Sequence, residues 1–296
     1  MNGREAGFLL LTSHLGDPER KVLTVAQLRN LAKRIVNAEQ PAQVRDVTRE
    51  DLLQLGYGKD MAERIVGLLD ADQQLQWYIN RGRRAGCVPV TRVSQGYPLR
   101  LRKRLGLDSP GCLWMKGELA LLEKPMVSLV GSRDLRKENR DFAHEVGRQA
   151  ALQGFTLVSG NARGADKTAQ DACLAYGGSV ISVVADRLDE QPVHERILYM
   201  AEDGYDLPFS SMRALSRNCV IHSLADAVLV AQCTYGKGGT WDGTLKNLRN
   251  GWSPVFCFRD GSAAVTELTQ RGAVAVDAGQ LARLQELRSE PNFFDQ

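Results

Sequence analysis

The sequence predicts an α/β protein: a Rossmann-like, doubly wound, mostly parallel sheet preceded by a small helical domain. Two observations carry this expectation. From Met126 onward, short runs that are apolar at almost every position alternate with helix-spaced apolar residues, the pattern of strands covered on both faces by crossover helices. Before about residue 80 only helical spacing is seen.

In the N-terminal part, Val25, Leu28, Leu31 and Ile35 recur at helical spacing, and Leu52, Leu53, Ile65, Val66, Leu68 and Leu69 form a second set. Between them Leu55-Gly56-Tyr57-Gly58-Lys59-Asp60, followed by Ala62 and Ile65, fits the helix-hairpin-helix form h-G-h-G-x-x-x-A-x-x-I. In that form a glycine turn brings backbone N–H groups at a helix start close to a nucleic-acid phosphate. The same glycines also serve as plain helix breakers. This predicts a helical, helix-hairpin-helix or SAM-like domain over 1–85 and a Rossmann-like domain over 86–296, the latter entered through a basic connector at 86–124. From Gln73 to Leu107 there is no acidic residue, whereas Arg81, Arg83, Arg84, Arg92, Arg100, Arg102, Lys103 and Arg104 all fall there. Net charge is only +3, so it is this clustering that points either to a polyanion contact or to a solvated linker.

The strands expected next are Met126–Val130, Phe155–Val158, Ser179–Ala185, Ala227–Ala231, Pro254–Phe258 and a sixth at Ala273–Val276. Phe142, Val146 and Ala150 mark the face of the first crossover helix, which Gly154 ends. A second helix is expected from Lys167 to Tyr176, with Asp166 as its N-cap and Gly177-Gly178 as its stop.

Ligands of open parallel sheets bind beyond the carboxyl ends of the strands. Three loops fall there: Gly131-Ser132-Arg133, Ser159 through Asp166 (with Gly160, Asn161, Arg163 and Gly164), and Lys237-Gly238-Gly239-Thr240. Glycine permits close backbone approach, hydroxyls and amides donate, and Arg or Lys beside a helix N-terminus adds positive charge, which together suit phosphate. Neither the Walker A pattern nor G-x-G-x-x-G occurs, so ATP hydrolysis and nicotinamide chemistry lose their usual signature. The six cysteines and four histidines are scattered without metal-ligand or triad spacing, which predicts reduced cysteines, no metal site and no catalytic residue. The N-terminal apolar run is too short for a signal peptide, and no window approaches a membrane span.

Residues 126–178 resemble the core of the DprA/Smf (DNA-processing protein A) family, whose pattern is V-G-S-R, then G-x-x-x-V-S-G-x-A-R-G-I-D-x-x-A-H, then G-G. Here these are Val130-Gly131-Ser132-Arg133, Gly154 through Val158-Ser159-Gly160-Asn161-Ala162-Arg163-Gly164-Ala165-Asp166-Lys167-Thr168-Ala169-Gln170, and Gly177-Gly178. Ser216-Arg217-Asn218-Cys219-Val220-Ile221 resembles the family's R-N-R-x-I segment, and Tyr97-Pro98 with Leu113 through Gly117 resembles its lead-in. Gln170 stands in place of His, Cys219 in place of the second Arg, and Gly236 through Asp242 in place of S-G-S-x-x-T-A, and no C-terminal winged helix is expected.

The resemblance implies a cytoplasmic, homodimeric single-stranded-DNA-binding protein without cofactor that delivers a RecA-type recombinase. Arg133, Arg163, Arg217 and Lys237 would hold phosphates, Asn161 and Asn218 would orient the strand, and Tyr235, Trp241 and Trp252 would offer stacking faces. Two other readings stay open. The divergent loops are compatible with a DprA-like antitoxin of phage defence paired with a cognate toxin. Gly238-Gly239-Thr240 also resembles the loop of LOG-type nucleotide phosphoribohydrolases, for which Asp242 would be the acid.

Overall fold

The computed structural model describes residues 2–38 and 46–287. It contains two compact units, Met1–Lys116 with Asp186–Gln191 and Ala201–Pro208, and Gly117–Ala185 with Pro192–Met200 and Phe209–Gln296.

The first unit holds α1 (Gly3–Thr12), α2 (Val25–Val36), α3 (Arg49–Gln54), α4 (Lys59–Leu69), α5 (Asp72–Arg84), β1 (Cys87–Thr91), α6 (Leu99–Leu105) and β2 (Cys112–Gly117). Asn2, Thr24 and Thr48 start their helices with capping boxes, in which cap side chain and third-residue side chain satisfy each other's backbone N–H. Between α3 and α4 the chain turns at Gly56, at φ +81°, and Tyr57 N donates to Leu52 O. Gly58 then starts α4, whose Ala62 and Ile65 are buried. The hairpin geometry expected of the glycine motif is therefore present.

The expected break after residue 85 is not where the first unit ends. β1 and β2 pair antiparallel, Cys87 opposite Lys116 and Thr91 opposite Cys112, and the connector up to Lys116 folds with the helices. An aromatic cluster explains why. Tyr78 of α5 stacks on Tyr205 with centroids 4.3 Å apart, and Trp114 of β2 meets both edge-on at 5.2 and 4.8 Å. Tyr78 Oη donates to Asp206 Oδ1 at 2.6 Å, and Tyr205 Oη donates to Tyr78 O at 3.1 Å. Residues far apart in sequence are thus bound into one core. The acid-free basic stretch is partly consumed here too. Arg92 is buried, its guanidinium donating to Leu107 O and Ser109 O, and Arg81 pairs with Asp206. Arg83, Arg84 and Lys103 remain exposed.

The second unit alternates β3 (Met126–Val130), α7 (Lys137–Leu152), β4 (Thr156–Ser159), α8 (Ala165–Ala175), β5 (Ser179–Val183), β6 (Ile197–Glu202), α9 (Ser211–Leu224), β7 (Ala227–Val230), α10 (Gly238–Asn250), β8 (Val255–Phe258), α11 (Ala263–Gln270) and β9 (Val274–Val276). The strands lie in the order β6-β5-β4-β3-β7-β8-β9, every neighbouring pair parallel. This is the expected doubly wound sheet with one strand more, because Ile197–Glu202 was not anticipated. β3, β4, β5 and β7 are buried throughout, as near-continuous apolar runs require. Ser128, the polar residue of β3, is satisfied by donating to Ile221 O at 2.7 Å.

Gly82 tests the aromatic cluster. A Cβ there would stand 2.8 Å from Tyr205 and 2.9 Å from Trp114. Alanine ordinarily stabilises a helix interior by up to about 1 kcal/mol, but overpacking costs about 1–3 kcal/mol. Gly82→Ala is expected to lower stability by about 1–2 kcal/mol in urea denaturation; a variant at least as stable as the wild type would contradict this packing.

Candidate functional site

The chain leaves β3 to one side through β4, β5 and β6, then returns to lay β7, β8 and β9 on the other. The loops that follow β3 and β7 therefore diverge and leave a crevice at the switch point. It encloses about 520 Å³, within the size range of about 300–1,000 Å³ typical of small-ligand pockets.

Two of the three predicted loops line it. Gly131, Ser132 and Arg133 form one edge, and Lys237, Gly238, Gly239 and Thr240 the other. Arg133 and Lys237 are exposed. No side chain caps α10, so its first-turn N–H groups are left to the crevice. Gln232, unforeseen, ties the edges together: its backbone O accepts from Ser132 N at 2.9 Å, its Oε1 from Arg136 N at 3.0 Å, and its Nε2 donates to Asp134 O.

The third loop lies mostly behind the crevice. Of it, Ala162 and Asp166 line the wall, while Ser159, Gly160, Asn161, Arg163 and Gly164 do not. Ser159 is wholly buried and accepts from Gln170 Nε2 at 2.6 Å, so its hydroxyl is turned into the core rather than offered to a ligand. Gln170, at the position where His was expected, thus serves packing. Asn161 takes φ +59°, a left-handed conformation asparagine tolerates. Gly164 takes φ +90°, and a Cβ on it would sit 2.3 Å from Arg133 O and 2.5 Å from Ser132 O; only glycine lets the two loops close on each other. Arg163 is exposed and pairs with Asp134 at 2.7 Å, both side chains largely in water. Such a pair is worth about 0–1 kcal/mol and yields readily to a phosphate.

Two expectations need correction. α8 begins at Ala165 with Gly164 as its N-cap, so Asp166 is inside the helix and caps nothing. Its carboxylate instead accepts from Gly160 N at 3.1 Å and Ala162 N at 3.2 Å, closing the loop. Burial raises its pKa to about 6 against the opposing pull of Arg217 and these N–H groups. Arg217, expected on phosphates, is itself buried: one guanidinium nitrogen donates to Gly160 O and, at 2.7 Å, to Val183 O. It braces the ends of β4 and β5 from within the crevice wall. Asn218 does face the crevice, its Nδ2 donating to Gly239 O at 3.0 Å.

The remaining wall is one face of α9, where Ala214, Leu215, Ile221 and His222 join Arg217 and Asn218. Their spacing of three and four residues was the available signal, and it went unused. Of the expected stacking aromatics, Trp241 and Trp252 are buried, 6% and 8% exposed, and pack inside. Tyr235 is 56% exposed, and Phe209, also unforeseen, lines the mouth at 53%.

A doubly wound α/β protein with a basic, glycine-edged crevice at its strand-order switch has the geometry in which loops and helix starts are able to receive an anion. Residues 89–280 match the family of DNA recombination-mediator protein A, and the chain belongs to that family. DNA processing protein DprA of Streptococcus pneumoniae is 30% identical over 186 residues, 58% of this chain and 66% of that protein. Protein Smf of Escherichia coli is 29% identical over 156 residues, 49% of this chain and 41% of that protein. The chain therefore spans between 41% and 66% of the length of these curated relatives. Its fold is similar to that in the X-ray structure of DNA processing protein A from Streptococcus pneumoniae, with TM-score 0.75 and 23% identity, covering 98% of this chain and 99% of the other. It is also similar to DNA processing protein A from Helicobacter pylori, solved for its single-stranded DNA binding mode, with TM-score 0.57 and 21% identity over 69% of this chain and 97% of the other.

Gly164→Ala is expected to cost about 2 kcal/mol or more in urea denaturation, from the positive φ together with the clash against two carbonyls. A wild-type midpoint would refute the loop closure.

His222 provides a pH test. Burial lowers its pKa from 6.5 to about 4. The unfolded histidine takes its proton near 6.5 and the folded one only near 4, so its contribution is full above 6.5 and falls by about 3 kcal/mol as the pH drops to 4. Asp166 acts in the opposite sense, its raised pKa favouring the fold as pH falls through about 6. Stability of the wild type relative to His222→Leu should therefore decline from neutral pH to pH 4, and parallel profiles would contradict a buried neutral imidazole.

Proposed function

We propose that this chain binds single-stranded DNA across the switch-point crevice. The observation that carries the reading is the pair of exposed cations on the crevice edges, Arg133 and Lys237, with the uncapped start of α10, an apolar α9 wall, and exposed Arg163 held on the lining residue Asp134. Phosphates rest on Ser132, Arg133, Lys237 and the N–H groups of Gly238 through Thr240, with Arg163 released from Asp134. Bases lie toward Phe209 and Tyr235, whose open rings suit stacking. The names of the relatives support the same reading.

In its finer form the protein acts by binding, as a cytoplasmic homodimer without cofactor, and passes the strand to a RecA-type recombinase. The glycine hairpin between α3 and α4 supplies a further phosphate contact in the first unit. The phosphoribohydrolase alternative draws little support, since Asp242 is exposed and does not line the crevice.

Fluorescence anisotropy with a labelled thymidine oligonucleotide over a salt series tests the proposal. Log affinity should fall with log salt by about 0.7 per phosphate held, and Lys237→Ala should reduce that slope by about 0.7 while leaving stability unchanged. Arg217→Ala should instead destabilise the protein, because it removes a buried brace. Salt-independent binding, or none, would defeat the reading.

A further inference from the structure

The crevice has an inner end with chemistry unlike its phosphate-bearing edges. His222 lies on its wall and is 1% exposed. Ser253 N donates to Asn247 Oδ1 at 2.9 Å, which leaves Asn247 Nδ2 against His222 Nδ1 at 3.3 Å. An amide nitrogen only donates, so Nδ1 accepts and the neutral ring carries its proton on Nε2. That Nε2–H is buried and makes no hydrogen bond among the described residues. An added Cβ on Gly243 of α10 would stand 3.2 Å from it, and the ring as a whole lines the crevice.

One turn earlier on α9, Asn218 commits its Nδ2 to Gly239 O and keeps Oδ1 as an acceptor. Leu215 and Ile221 supply apolar wall beside this pair. A phosphate has only acceptors and a charge to keep hydrated, and would meet Asn218 Oδ1 and hydrocarbon unfavourably. A nucleobase edge presents donor and acceptor side by side on a flat apolar body, and a buried donor left unmade is costly until such an acceptor arrives.

Resting on the single-strand reading above, we propose that the inner crevice takes one unstacked base of the bound strand. His222 Nε2–H donates to a carbonyl oxygen of that base, and Asn218 Oδ1 accepts from its neighbouring N–H. The protein then prefers thymine and guanine, which carry a carbonyl beside a ring N–H, over adenine, which has no carbonyl, and cytosine, whose carbonyl has no N–H beside it.

The test compares two ligands on the wild-type protein: a thymidine hexamer and the same hexamer built with 2,4-difluorotoluene, which keeps the shape of thymine and loses its hydrogen bonding. The wild type should bind the isostere about tenfold more weakly at an equal salt slope. His222→Leu, of similar bulk without the donor, should narrow that preference, because only the Asn218 contact is left to tell thymine from the isostere. Equal affinity of the wild type for the two ligands, or a preference undiminished in His222→Leu, would overturn the role given to His222. Failure of the wild type to bind either hexamer would overturn the single-strand reading itself, and this inference with it. Should His222→Leu not fold, the pair of ligands on the wild type decides alone.

Discussion

A fully parallel sheet has to place a helix or long connection between successive strands, and where the strand order turns back those connections part. In this chain the turn falls at β3, between β4 on one side and β7 on the other. Everything proposed for the crevice depends on that reversal. It separates Gly131–Arg133 from Lys237–Thr240, brings the start of α10 to the opening and exposes the α9 face as a wall. Without the reversal the same loops would close over the strand ends as ordinary turns.

The crevice keeps its shape because charge has been taken inside behind it. Arg217 ties Gly160 O to Val183 O, and Asp166 gathers Gly160 N and Ala162 N. Each of these buried groups is tolerable because the other lies close by and backbone partners complete it. Gly164 lets the loop press against Arg133 O, and Gln232 joins the loops that follow β3 and β7. Interior polar groups thus position the loops, while Arg133, Arg163 and Lys237 stay outside where an anion can reach them. Residues of one chemical type take opposite duties according to depth.

The fold was largely legible because its signals are local. Runs such as Met126–Val130 and Ala227–Val230 are apolar at nearly every position, and a strand buried on both faces needs that. The glycine hairpin was visible for the same reason, since the positive φ at Gly56 selects glycine. β6 is less legible: no helix-spaced segment separates Ile197–Glu202 from β5, and the strand ends in a charged residue. The extent of the first unit escaped as well, because Tyr78, Trp114 and Tyr205 meet only after folding.

The sequence by itself determined the alternation of strands and helices, the glycine-edged loops at strand ends and the membership implied by their pattern. These follow from periodicity and from backbone conformations that few residues can adopt. Only the tertiary structure decided which side chains line the crevice and which are held in the interior. Ser159 and Arg217 turned inward, Phe209 and His222 came to the crevice, and Asp166 left its expected cap to close a loop. The physical reason is that the depth and hydrogen-bond partners of a polar side chain are set by neighbours distant in sequence, which no local pattern encodes.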